Sequence, residues 1–91
     1  MGPRIDVLAT THGETVALYT FVRAGDMLPL HNHPFMHRAL IPAGSSFEWF
    51  SEKSAGSVEG PHVLTFPAHV PHGMRARNDG ACCFVSMPIV T

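Results

Sequence analysis

Apolar and polar residues in this chain alternate in short bursts and never settle into a helical period. No segment holds an apolar stripe at 3.6-residue spacing over the ten or so residues a helix needs, and eight Pro and eight Gly interrupt the chain throughout. The clearest burst, Val16-Ala17-Leu18-Tyr19-Thr20-Phe21-Val22, is β-branched and aromatic and runs out at Ala24-Gly25-Asp26, which predicts a strand entering a turn. Further strands are predicted over Arg4 to Ala9, Met27 to His33, His37 to Ile41, Phe47 to Ser51, Val63 to Phe66, Gly73 to Arg77 and Ala81 to Met87. Short strands at this spacing predict an all-β sandwich or barrel.

Two connections carry their own signals. The stretch from Ser51 to Gly60 is the one polar segment of any length, and it is expected to join the two halves of the fold. Asn78-Asp79-Gly80, set between two alternating apolar runs, predicts a hairpin turn, since these residues tolerate positive φ. With no internal repeat, low-complexity tract or heptad pattern, residues 1–91 read as one domain.

Length adds a constraint on stability. A chain of 91 residues hides only about 60–65% of the surface its unfolded form exposes. Its core is thin, and a metal ion or a partner subunit would help hold it, so a homodimer is expected. Six Lys and Arg against seven Asp and Glu leave no basic face for nucleic acid and no acidic tail. The chain shows neither a leader-like N-terminus nor a run approaching the ~18 apolar residues of a membrane span, so a soluble, cytoplasmic protein with no membrane partner is expected. Cys82 and Cys83 are adjacent, which sends their side chains to opposite faces of a strand and makes a mutual disulfide sterically poor. They read as small reduced core residues in preference to redox groups.

Histidine is the unusual component, at seven residues. His31 and His33 lie two apart, so on an extended strand both imidazoles share a face at roughly 6–7 Å between Cα atoms, close enough to chelate one ion. His37 follows beyond Pro34, where a bend or a tight connection can bring it to the same ion, and His72 would have to come from an opposing strand. Four neutral imidazoles suit one divalent Mn, Fe, Co, Ni, Cu or Zn ion and suit Ca or Mg poorly. The alternative is a set of scattered surface histidines.

The residues around these histidines resemble the cupin motifs. Gly25 to Gly44, read as GDMLPLHNHPFMHRALIPAG, matches the spacing of the first: Gly, five residues, His-x-His, three or four residues, Glu, six residues, Gly. His37 stands at the Glu position. Gly60 to Asn78 resembles the second motif, with Phe66-Pro67-Ala68-His69-Val70-Pro71-His72 where the family has Pro-x-Gly, two residues and the ligand His. Here His69 replaces the turn glycine, and Asn78 comes later than the usual Asn. The resemblance implies a double-stranded β-helix, a jelly-roll-like β-barrel with metal near one mouth, a four-histidine variant of the site at His31, His33, His37 and His72, and dimerisation in which an N-terminal strand completes the partner's sheet.

Such a site leaves about two coordination positions for water, dioxygen or a small-molecule substrate or ligand. Because all four ligands are neutral, the ion would keep its full charge and favour an enolate, catecholate or other anionic oxygen. A metalloenzyme with dioxygenase- or oxidase-type chemistry on a small enolisable or aromatic compound is the leading expectation. The alternatives are an isomerase or lyase, a non-catalytic sensor or binding module, and a metal-stabilised structural barrel. At this length no helical DNA-binding domain fits beside the barrel, which argues against a complete transcription regulator.

No catalytic residue is identified beyond the ligands. Phe35, Phe47, Trp49, Phe66, Met74, Phe84 and Met87 are candidates for an apolar wall against the alternative of core packing, while Tyr19, Arg38 and Arg75 are candidates for polar contacts against surface positions. Glu48, Glu52 and Glu59 read as solvated. His12 and His62 have no partner to name, and His69 is expected at the barrel mouth. No Ser-His-Asp order, carboxylate pair, phosphate loop or reactive-cysteine motif competes with the metal site.

Overall fold

The computed structural model describes residues 1–11 and 13–88, so His12 lies outside the described residues. Nine strands are present and, among the described residues, no helix: β1 (Arg4–Thr11), β2 (Glu14–Phe21), β3 (Met27–His31), β4 (His37–Ile41), β5 (Ser46–Ser51), β6 (Ala55–Glu59), β7 (His62–Phe66), β8 (His72–Ala76) and β9 (Ala81–Pro88). They form a five-stranded sheet in the order β1-β2-β9-β4-β7 and a four-stranded sheet in the order β3-β8-β5-β6.

The pairing is nested. β5 pairs β6, β4 pairs β7, β3 pairs β8 and β2 pairs β9, all antiparallel. The chain is thus one long two-arm ribbon whose tip is the β5–β6 turn, wound so that successive strands of each arm fall in alternate sheets. Cross-pairing of β4 with β9 and of β5 with β8 closes the winding. This is the double-stranded β-helix expected above.

Alternation along the strands explains the interior. Ala17 and Phe21 of β2, Ala39 and Ile41 of β4, Ala81, Cys83 and Val85 of β9, and Phe66 of β7 point inward from the larger sheet, against Phe47, Val58, Met74 and Ala76 from the smaller one. Phe21 meets Phe47 edge to face across the two sheets, with ring centroids 5.1 Å apart. On the outer face of the larger sheet the register lines up Leu18, Phe84, Leu40 and Val63 in one apolar row. β1, at the edge beside it, exposes Ile5, Val7 and Leu8.

Two sequence expectations are corrected. Asn78-Asp79-Gly80 does form a turn, with Gly80 at φ 73°, but it makes no hairpin. The strands it joins, β8 and β9, lie in different sheets, because the winding sends consecutive strands to opposite layers. Its side chains tie the corner instead: the Asn78 carbonyl accepts from Ser46 N (3.0 Å), its amide donates to Gly44 O (2.8 Å), and Asp79 accepts from Ala24 N (2.8 Å). The stretch from Ser51 to Gly60, expected only to join the halves, contains β6. That strand buries a single apolar side chain, Val58, so it carries no alternating signal. It is held by its ladder with β5 and by Gly56, where any Cβ would come within 3 Å of the Trp49 indole.

Candidate metal centre

The nested register decides what meets at one end of the barrel. His31, the last residue of β3, is the direct cross-strand partner of His72, the first of β8, and His37 opens β4 opposite Phe66 at the end of β7. His33 was expected on the same strand as His31, but β3 ends at His31 and His33 sits just beyond it. It is placed there by a backbone tie, since the His69 N–H donates to the His33 carbonyl at 2.7 Å and joins the β3–β4 connection to the β7–β8 connection. His69 adopts a left-handed φ of 63° to do so. A glycine takes that conformation most readily, which accounts for the glycine at this motif position.

All four imidazoles pack together. Ring centroids are 4.4 Å apart for His31 and His72, 4.8 Å for His31 and His33, 5.0 Å for His33 and His37, and 4.8 Å for His37 and His72. His31, His33 and His72 each offer a nitrogen, and those three nitrogens lie within 4.8 Å of one another. His37 packs against this group without belonging to it at that distance.

Hydrogen bonds orient two of the rings. His31 Nδ1 lies 2.7 Å from Pro29 O, and His72 Nδ1 lies 2.8 Å from Val70 O, in each case a carbonyl two residues upstream. A carbonyl only accepts, so both Nδ1 atoms carry the proton and both Nε2 atoms are left with a free lone pair. His72 Nε2 and His37 Nδ1 are buried with no hydrogen-bond partner. A buried unpartnered nitrogen costs about 1–3 kcal/mol, and a coordinated cation is one way to recover that cost.

Burial also favours the neutral form of three of the rings, His33, His37 and His72. Desolvation, followed by the neighbouring imidazoles His72, His33 and His31, holds His37 down to about 4. His33 and His72 are likewise lowered, chiefly by burial, with the Val70 carbonyl partly opposing the effect at His72. Neutral imidazole is the form that binds metal, so the donor set fits a borderline transition-metal cation.

Beneath the rings is a chamber of about 20 Å³, lined by Tyr19, Leu28, Phe66, Met74, Met87, His31, His33 and His37 among others. It has room for about one water molecule. Of the wall candidates, Phe66, Met74 and Met87 reach it, while Phe47 is in the core, Phe84 faces outward, Trp49 lines a separate cleft and Phe35 stacks on His33 at 5.1 Å. Tyr19 brings the one hydroxyl among the chamber residues, and burial, with Cys83 nearby, raises its pKa and keeps it protonated. Arg38 is exposed on the outer sheet face, and Arg75 lies outside, 3.7 Å from Glu48. Cys82 and Cys83 are free thiols; burial and the adjacent Cys82 push Cys83 up to about 12. His62 and His69 are exposed. Sequence reasoning missed the Pro29 and Val70 carbonyls, because a backbone acceptor has no residue-type signature.

No protein-family model and no curated protein matches the sequence. Solved structures match the fold. A cupin superfamily protein from Desulfitobacterium hafniense superposes with a TM-score of 0.83 at 17% identity, covering 97% of this chain and 78% of that one. An RmlC-like cupin from Desulfovibrio desulfuricans gives a TM-score of 0.81 at 22% identity over 96% of this chain and 82% of that one. KdgF from Halomonas gives 0.82 at 20% identity over 98% and 81%. At these identities the likeness establishes the cupin double-stranded β-helix and nothing finer.

Proposed function

We propose that this protein is a metal-binding cupin in which His31, His33 and His72, joined by His37, hold one divalent transition-metal ion, and that it acts on a small enolisable or aromatic compound by dioxygenase- or oxidase-type chemistry. The observation that carries the metal reading is the pair of Nδ1-to-carbonyl bonds, which turn His31 Nε2 and His72 Nε2 into free donors, the latter buried with no other partner. Bound there, such an ion supplies Lewis acidity toward an anionic oxygen ligand. The protein's own contribution is to keep His33, His37 and His72 neutral by burial, to fix the tautomers of His31 and His72, and to hold a protonated Tyr19 in the chamber as a hydrogen-bond donor.

The test is elemental analysis of the purified protein, with no metal added, beside the double variant His31→Ala, His72→Ala. About one transition-metal ion per chain, lost in the variant, is the expected result. Wild type that stays metal-free after reconstitution would remove the metal and the enzyme reading together. With metal established, oxygen consumption on diketone and catechol substrates tests the reaction class.

The small chamber favours a second reading, a non-catalytic sensor or binding module, because a substrate would have to approach from the barrel mouth. Exchangeable metal-bound water with no turnover of any oxygen-acceptor substrate would select it. A cytoplasmic homodimer completes the proposal. Two free thiols are consistent with a reducing compartment, and the row Leu18-Phe84-Leu40-Val63 offers a self-complementary face.

A further inference from the structure

A chamber of about 20 Å³ cannot take an organic molecule, but a second cavity in the same molecule can. It is a cleft of about 220 Å³ between β5 and the end of β7, lined by Trp49, Phe50, Leu64, Phe66 and Val70, with Ser51 and His72 also on its surface. Phe66 is common to both cavities, and it stacks on His72 with centroids 4.4 Å apart and planes 19° apart. Through His72 this stacked pair joins the cleft wall to the histidine cluster.

The chemistry of the lining is narrow. No Asp, Glu, Lys or Arg contributes to it. The Ser51 hydroxyl is already engaged by the turn that follows, accepting from Ser54 N at 3.2 Å and meeting Ser54 Oγ at 3.1 Å. His72 has its Nδ1 bound to Val70 O and directs its other nitrogen to the cluster. What the cleft offers a visitor is therefore aromatic faces and aliphatic edges, with one further hydroxyl, that of the exposed Thr65. Trp49 is set by its packing on Gly56, where the absence of a side chain leaves room for the indole. An apolar cavity of roughly 150 Å³ is enough to bind benzene, so this one suits a somewhat larger ring.

We propose that the cleft is a binding site for a neutral, planar aromatic molecule between about benzene and naphthalene in size, seated against Trp49 and Phe66 and bordering the histidine cluster at His72. The site needs no bound metal, so it stands or falls apart from the metal reading. Charged aromatics are excluded because nothing in the lining would pair with the charge once it is desolvated.

Trp49 is the only tryptophan in the chain, so its indole N–H gives a single reporter signal. Metal-stripped protein is titrated with toluene and, separately, with benzoate, following that signal by heteronuclear NMR. Expected are a saturable shift with toluene, an affinity for benzoate at least tenfold weaker, and at least tenfold weaker toluene binding in Val70→Phe, whose larger side chain fills the cleft from an exposed loop position. Leu64→Phe, a second filling variant, should weaken binding in the same direction, and well-dispersed spectra of both variants show that they fold. The proposal is overturned if toluene gives no saturable shift, if benzoate binds as well, if both filling variants bind like wild type, or if the Trp49 signal moves with protein concentration and toluene has no further effect, which would mean that a second copy covers the cleft.

Discussion

His37 shows what burial does to a single side chain here. Its pKa is about 4 in the folded protein, while an unfolded histidine titrates near 6.5. Between those values the unfolded chain binds the proton and the folded one does not. The metal-free protein is therefore at full stability above about pH 6.5 and loses stability as pH falls toward 4, by about 1–3 kcal/mol. Denaturant unfolding of the metal-free protein at several pH values checks this, with His37→Gln expected to flatten the profile. The same desolvation weakens proton competition for the metal, so metal retention is expected down to about pH 5; full retention at pH 4 would count against an all-histidine site. Tyr19→Phe is expected to leave metal content unchanged while weakening binding of an anionic oxygen ligand such as acetate about tenfold, measured by titration of the metal-loaded protein. His69 tests a backbone conformation. At φ 63° a glycine should be accepted within about 1 kcal/mol, whereas His69→Val should cost about 1–3 kcal/mol and loosen the tie to His33. Which histidines would meet was legible from spacing and motif at His31, His33, His37 and His72. Their tautomers were not, since those depend on carbonyls that any residue could supply.

Strands with one buried face announced themselves. The bounds of β4 match those predicted, β1, β3, β5, β7 and β9 differ from the predicted runs by one or two residues at one end, and β2 and β8 differ by one or two at both. β6 was invisible because Ala55, Gly56, Ser57 and Glu59 give a strand no apolar alternation, and pairing with β5 rather than local preference forms it. The turn residues Asn78-Asp79-Gly80 were read correctly as a turn and wrongly as a hairpin, since positive φ says where the chain reverses and not which layer it enters next. Asn78 makes two of the corner's three side-chain ties, so Asn78→Ala is expected to cost about 1–3 kcal/mol, measured by thermal or denaturant unfolding. Gly60 marks another crossing between the sheets. A Cβ there would clash with the backbone carbonyl of Pro42, and Gly60→Ala is expected to destabilise by at least about 1–3 kcal/mol.

For the molecule as a whole, the winding brings His31, His33 and His37 on one arm of the ribbon against His72 on the other. A bound ion therefore stabilises the closed barrel, and chelation is expected to lower the unfolding midpoint by several degrees. The outer row of Leu18, Phe84, Leu40 and Val63 puts a second expectation at this scale: sedimentation should show a dimer that Leu40→Asp dissociates. The same two-arm winding bears on what survives a break in the chain. The ribbon tip at Lys53 is exposed and follows Ser51, whose cross-strand partner is His72. A protease nick there would leave one fragment with His31, His33 and His37 and the other with His72, still laced together by the ladders on both sides of the cut. Separated, each fragment would be metal-incompetent alone; mixed, they would regain metal only by rewinding around each other, so metal uptake would count reassembled barrels.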